Sequence, residues 1–313
     1  MSKTLEDVMA LEALEKKLRA ILPEPYQYSY ESVLPVSMGS AGLKFGDDGR
    51  VAWDKIWATF CDLAMAGGPP HRGTLLEPAT EDAISSAPED YGRVAEEIGR
   101  GISMVTGLRV LDNSTVMPGW IGVQCWNMGM SAWLVRAIVM ENILARHDAE
   151  VLYLPCGPEF RLAKEIKNVV TTIAKTCHYW TGHMPPEQQE DIQRLYANAS
   201  IDAEFLQPAS FREVQLNPDG YRRVLETLSR EITVRTGKPC FPHRYVGWIG
   251  VECLDVRYAI GLMRAMVVEN VLARREDNVL FLPVRAQFAK EGRAERLLHS
   301  FEQMNHLQAV RKT

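Results

Sequence analysis

The sequence predicts an α/β fold: a tandem duplication of two pseudo-twofold-related α/β units behind an N-terminal helical arm. Three observations carry this. A long segment repeats, each copy alternates helical and strand-like periodicity, and the leading residues lie outside the repeat. The division that follows is 1–50 for the arm and a hairpin, 51–183 for the first unit, and 184–313 for a linker and the second unit.

The repeat is the strongest of the three. Gly119-Trp120-Ile121-Gly122-Val123 recurs as Gly247-Trp248-Ile249-Gly250-Val251. The match runs without a gap to Pro155 and Pro283, with about half the positions identical. Cys125 falls on Cys253, Arg136 on Arg264, Glu141-Asn142 on Glu269-Asn270, and Leu154-Pro155 on Leu282-Pro283. With a two-residue gap it extends upstream to Tyr91 on Tyr221 and Thr106-Gly107 on Thr236-Gly237. A unit of roughly 100–130 residues is an ordinary domain size. Two copies are expected to pack about a pseudo-twofold axis, as homodimers do about a true one.

Each copy reads as α-β-α-β-α. Tyr91–Val105 and Tyr221–Val234 have helical spacing and stop at Gly107 and Gly237, the residue type that ends helices in the left-handed region. Apolar runs ending in Trp-Ile-Gly-Val read as strands. Ser131–Arg146 and Tyr258–Arg275 are apolar on most sides, which predicts helices buried on several faces. Val151–Leu154 and Val279–Leu282 read as core strands. Ala163–Lys175 and Glu291–Met304 read as closing helices. This order suggests layered α/β units.

Outside the repeat, Thr4–Leu22 has apolar residues on one face and ends before Pro23 and Pro25. Its polar face mixes Glu with Lys, so residues 4–22 are expected to dock on a protein partner rather than lie on a membrane. Leu43–Ala52 reads as a hairpin. Asp54 caps a helix over Ile56–Met65.

Composition restricts function. The 313 residues are 46% hydrophobic, which excludes general disorder. A net charge of -5 and a pI near 5.9 argue against a nucleic-acid partner held by phosphate neutralisation. No apolar run reaches membrane-spanning length, so no membrane is expected. Six cysteines do not form a disulfide scaffold, and with no leader-like segment the expected location is cytoplasmic.

Five groups carry candidate chemistry. Cys125 and Cys253 each follow a strand and precede a helix, where the helix N-terminus lowers a thiol pKa. Facing each other across an axis, they suit two-base proton transfer. Gly67–Gly73 presents His71 and Arg72 on a backbone freed by glycine and stiffened by proline, a pattern that suits a carboxylate or phosphate. Cys177, His178 and His183 have the donor types of a transition-metal site. Cys156-Gly157-Pro158-Glu159 puts a thiol and a carboxylate at a strand end, where the second copy reads Val284-Arg285-Ala286-Gln287. Arg136, Glu141 and Asn142, with Arg264, Glu269 and Asn270, place charge in apolar helices. Buried charge needs a partner, and a reciprocal Arg136–Glu269 and Glu141–Arg264 pairing is expected.

The resulting expectation is a small-molecule enzyme acting on a small anionic molecule at or near the interface of the two units. Cys125, Cys156 and Glu159 would be catalytic, His71, Arg72 and Cys253 would bind substrate, and Cys177, His178 and His183 would hold a metal. The alternative expectation is a non-catalytic pseudo-dimeric protein that binds a ligand or a partner.

Overall fold

The computed structural model describes residues 4–21, 42–55, 75–112, 116–197, 205–242, 244–290 and 292–311. Among these residues it is a mixed helix-and-sheet structure, 59% helical, with two four-stranded antiparallel sheets. No helix among the described residues is long and apolar enough to cross a membrane. The chain divides into two compact units. Among the described residues, the first comprises 42–55, 75–112 and 116–197, and the second 4–21, 205–242, 244–290 and 292–311.

In the first unit, Thr80 caps α2 (Glu81–Ser86) by accepting from the Ala83 N–H. Then α3 (Pro88–Thr106) opens on proline and ends at Gly107, with φ 70°. Its apolar stripe, Val94, Ala95, Ile98 and Ile102, is buried. The sheet order is β1 (Arg109–Val110), β2 (Trp120–Gln124), β4 (Val151–Pro155) and β3 (Arg146–Asp148). Within it, Trp120 pairs with Pro155 and Val123 with Leu152. Between β2 and β3 lies α4 (Met128–Met140), capped by Asn127 and buried along most of its length. A π turn, Leu162–Ile166, leads into α5 (Lys167–Gly182), and α6 (Pro186–Ala197) packs on α4. Gly129 permits that packing, because a Cβ there would meet the Gln193 backbone at 2.9 Å.

The second unit repeats this order as far as α5, with no described counterpart of α6 after it: α7 (Phe211–Leu216), α8 (Pro218–Thr236), β5 (Cys240–Phe241), β6 (Trp248–Glu252), α9 (Val256–Val268), β7 (Arg274–Glu276), β8 (Val279–Pro283) and α10 (Arg293–Arg311). Its sheet runs β5-β6-β8-β7, with Trp248 on Pro283 and Val251 on Leu280. Each of these pairs lies 128 residues beyond its first-unit equivalent. A short 3-10 turn, Ala286–Ala289, replaces the π turn. The N-terminal helix α1 (Leu5–Ile21) belongs to this unit. It buries Leu14, Leu18 and Ile21 and packs on α9 and α10. The apolar face expected to dock on a partner is therefore covered by the chain's own second unit.

Two expected helices end early. Ser131–Arg146 and Tyr258–Arg275 stop at Met140 and Val268, because Asn142 and Asn270 take positive φ, 61° and 60°. Asparagine tolerates the left-handed region better than most residues. The chain then turns through the parallel bridges Leu76–Ile143 and Leu206–Val271. Arg146 and Arg274 consequently start strands. The hairpin expected over Leu43–Ala52 is a tight turn closed by one antiparallel bridge, Phe45–Val51. The helix expected over Ile56–Met65 lies outside the described residues.

Candidate functional site

Cys125 and Cys253 sit where expected, after β2 and β6. Their surroundings oppose the expected chemistry. Each is 3% exposed. Their N–H groups extend the sheets by donating to Glu150 O at 2.9 Å and Asn278 O at 2.8 Å. The helix N-termini beside them are already capped, Asn127 Oδ1 accepting from Met130 N at 2.8 Å and Asp255 Oδ1 from Tyr258 N at 2.7 Å. Burial decides the outcome: it pushes the Cys125 thiol up to about 12 and the Cys253 thiol up to about 11. Both are neutral near pH 7.

Cys156 is fully buried, and burial together with the Glu159 charge pushes its thiol up to about 12. Its backbone continues the sheet, with N to Gly119 O at 2.8 Å and O from Ala79 N at 3.0 Å. Val284 makes the same two bonds in the second unit, to Gly247 O at 2.7 Å and from Ala209 N at 2.9 Å. Valine standing there shows that the position asks for a small apolar side chain, which a thiol supplies. The local geometry is fixed by tyrosine. Tyr91 Oη accepts from Gly119 N at 3.1 Å and Tyr221 Oη from Gly247 N at 2.9 Å. Both glycines have positive φ, 86° and 80°, and a Cβ on either would lie within 2.6 Å of a backbone carbonyl.

Glu159 is exposed and folds back over Gly157, whose missing side chain leaves room for the carboxylate. It borders a groove of about 640 Å³ in the first unit. The walls come from the turn at Phe45 to Val51, from Arg93, Glu96 and Glu97 on α3, and from Pro158 to Ile166. The π turn forms one end, and such turns are frequent at functional sites. Arg50 bonds Glu96 at 2.9 Å and Glu97 at 3.2 Å. Glu97 also accepts from Trp53 Nε1 at 2.8 Å, which fastens the turn to α3. Arg161 pairs with Glu165 at 2.8 Å. Arg93 is 75% exposed and, among the described residues, pairs only with Asp90, itself 50% exposed. An exposed pair of this kind is worth little, so Arg93 is the guanidinium most easily redirected to a ligand. The sequence reading missed Arg93 because it lies in an ordinary helical pattern.

Cys177 points into the core of the first unit, and burial raises its thiol well above the usual range. His178 and His183 meet at the end of α5, with Nε2 atoms 3.2 Å apart. Among the described residues no three His, Cys, Asp or Glu side chains group as metal ligands. His71, Arg72 and the rest of Gly67–Gly73 lie outside the described residues.

The two glutamates of the charged set in the buried helices take lysine partners. Glu141 takes Lys175 at 2.5 Å, and Glu269 takes Lys17 of α1 at 2.6 Å. The sequence pattern pointed to neither lysine as the partner. Arg136, 2% exposed, donates to Ala132 O and stacks 3.8 Å from the centre of the Tyr196 ring. Asn142 and Asn270 serve the turn already described. His147, on β3, is held neutral, its pKa lowered to about 4 by burial and by Arg136.

Set beside family models, curated proteins and solved structures, the chain matches none of them.

Proposed function

We propose that the chain is a ligand-binding protein that arose by tandem duplication of one α/β unit, and that the first unit's groove is its site. The ligand class is a small anion with an apolar body. The observation that carries this is the groove itself. It gathers Glu159, the π turn and the Phe45 turn, which are features of the first unit, around an exposed and weakly engaged Arg93. Phe45 and Phe160 supply the apolar contact. The duplication is supported by matching strand order and register at a constant offset of 128. The described cysteines are free thiols, in keeping with a reducing, cytoplasmic setting.

A binding role is preferred over thiol catalysis because Cys125, Cys156 and Cys253 are buried and neutral. Enzymatic acid–base work keeps one supporting observation: Glu159 is the nominated catalytic residue that reaches the groove. Calorimetric titration with benzoate, phenyl phosphate and inorganic phosphate tests the proposal. An aromatic anion is expected to bind, and Arg93→Ala to weaken it about 10–100-fold, the loss of one charged hydrogen bond. The thermal midpoint should stay nearly unchanged. Absence of binding by all three anions, or equal binding by the Arg93→Ala protein, overturns it.

A further inference from the structure

The two histidines at the end of α5 approach each other in a geometry that suits a shared ion. His178 lies in the last turn of the helix and His183 just beyond it, with Thr181 and Gly182 between them exposed to solvent. Their Nε2 atoms are 3.2 Å apart, their ring centroids 4.9 Å, and their planes cross at 76°.

Elementary geometry separates two readings of those distances. An imidazole nitrogen lies about 2.0–2.1 Å from a zinc-type ion, so nitrogens 3.2 Å apart subtend about 103° at it. That angle falls between octahedral and tetrahedral values. With each nitrogen roughly 1.15 Å from its ring centre, two rings aimed at one ion have centroids about 5.0 Å apart. Two rings in a head-on N–H···N bond have centroids about 5.5 Å apart. The observed 4.9 Å is the convergent value.

We infer that His178 and His183 form a two-histidine chelate for a divalent transition ion that favours imidazole, such as nickel or zinc. Both rings bind through Nε2, each keeping its proton on Nδ1, and water fills the remaining positions. Cys177 is not a ligand, since it points to the core while its neighbour His178 faces outward. With no third side chain grouped there among the described residues, the site is open and its ion exchangeable. None of its residues lines the groove, so it stands apart from the ligand-binding proposal.

The test is calorimetric titration of the whole chain with nickel, cobalt and zinc chlorides. One ion per chain is expected, with nickel tighter than cobalt. His178→Ala and His183→Ala should each weaken binding by at least the roughly 10–100-fold lost when an outer-shell partner is removed. His299→Ala, on an exposed residue of α10, should leave it unchanged. Zinc should shift the ring-proton resonances of His178 and His183 and of no other histidine. If an alanine variant loses its fold, His178→Gln and His183→Gln carry the same expectation. No binding below about 1 mM, or unaltered affinity in both histidine variants, overturns the inference.

Discussion

The two units share a scaffold and differ in what is attached to it. The Tyr–Gly hydrogen bond, the left-handed asparagine and the strand register recur at equivalent positions. The segments after β4 and β8 do not. The first continues as Cys156-Gly157-Pro158-Glu159 into a π turn that borders a groove. The second continues as Val284-Arg285-Ala286-Gln287 into a 3-10 turn, with Arg285 paired to Glu213. Equivalent glutamates also differ in setting: Glu141 is held by a buried lysine and Glu269 by an exposed one. What recurs is what the backbone requires. What differs is the segment that borders the proposed ligand groove.

The sharpest way to break this comparison is through those glutamates. Lys175→Met removes the buried lysine paired with a largely buried carboxylate and is expected to cost about 3–5 kcal/mol in denaturant unfolding. Lys17→Met, on the exposed partner of Glu269, should cost less than about 1 kcal/mol. Equal losses would show that the two settings are energetically alike. Next come the shared glycines. Gly119→Ala and Gly247→Ala each force a side chain onto positive φ against a carbonyl, at about 1–3 kcal/mol apiece. A large effect in one unit and none in the other would undo the structural equivalence.

A smaller difference appears with pH. His147 has a folded pKa near 4, below its ordinary 6.5, so the unfolded chain binds its proton first as pH falls. The stability tied to neutral His147 is therefore full above pH 6.5 and drains away down to pH 4. Arg275 occupies the equivalent strand position, so the second unit has no histidine there. The thermal midpoint of His147→Gln should thus fall less between pH 6.5 and 4 than that of the parent chain. Parallel curves would remove His147 as an acid-sensitive group. Finally, Cys125, Cys156 and Cys253 should react with a disulfide reagent at pH 8 only after unfolding. Fast reaction in the native protein would restore a thiol mechanism.

The sequence made the repeat, the Trp-Ile-Gly-Val strands and the glycine-ended helices legible, because these rest on short-range periodicity and backbone rules. Asn142 and Asn270 were visible as a matched pair but were read as charge neighbours. Their left-handed conformation depends on the turn that follows, and helix propensity alone does not expose it. Lys175 was missed because its partner lies 34 residues away. The cysteines stood out by position, yet their protonation depends on burial, which a linear pattern does not give. Arg93 and the groove were invisible for the same reason: their walls come from three distant segments.

The docking of α1 has a consequence for how the protein is made. On a ribosome, α1 emerges long before α10, which it packs against. At 5–20 residues per second, roughly 15–60 s separate the two. Until α9 and α10 emerge, Leu14, Leu18 and Ile21 lack their native cover, while the first unit gains all its own residues before either helix and is free to fold. A nascent chain stalled between the two units therefore carries a finished domain with an unsheltered apolar helix ahead of it. Removing α1 or removing α10 injures the same unit.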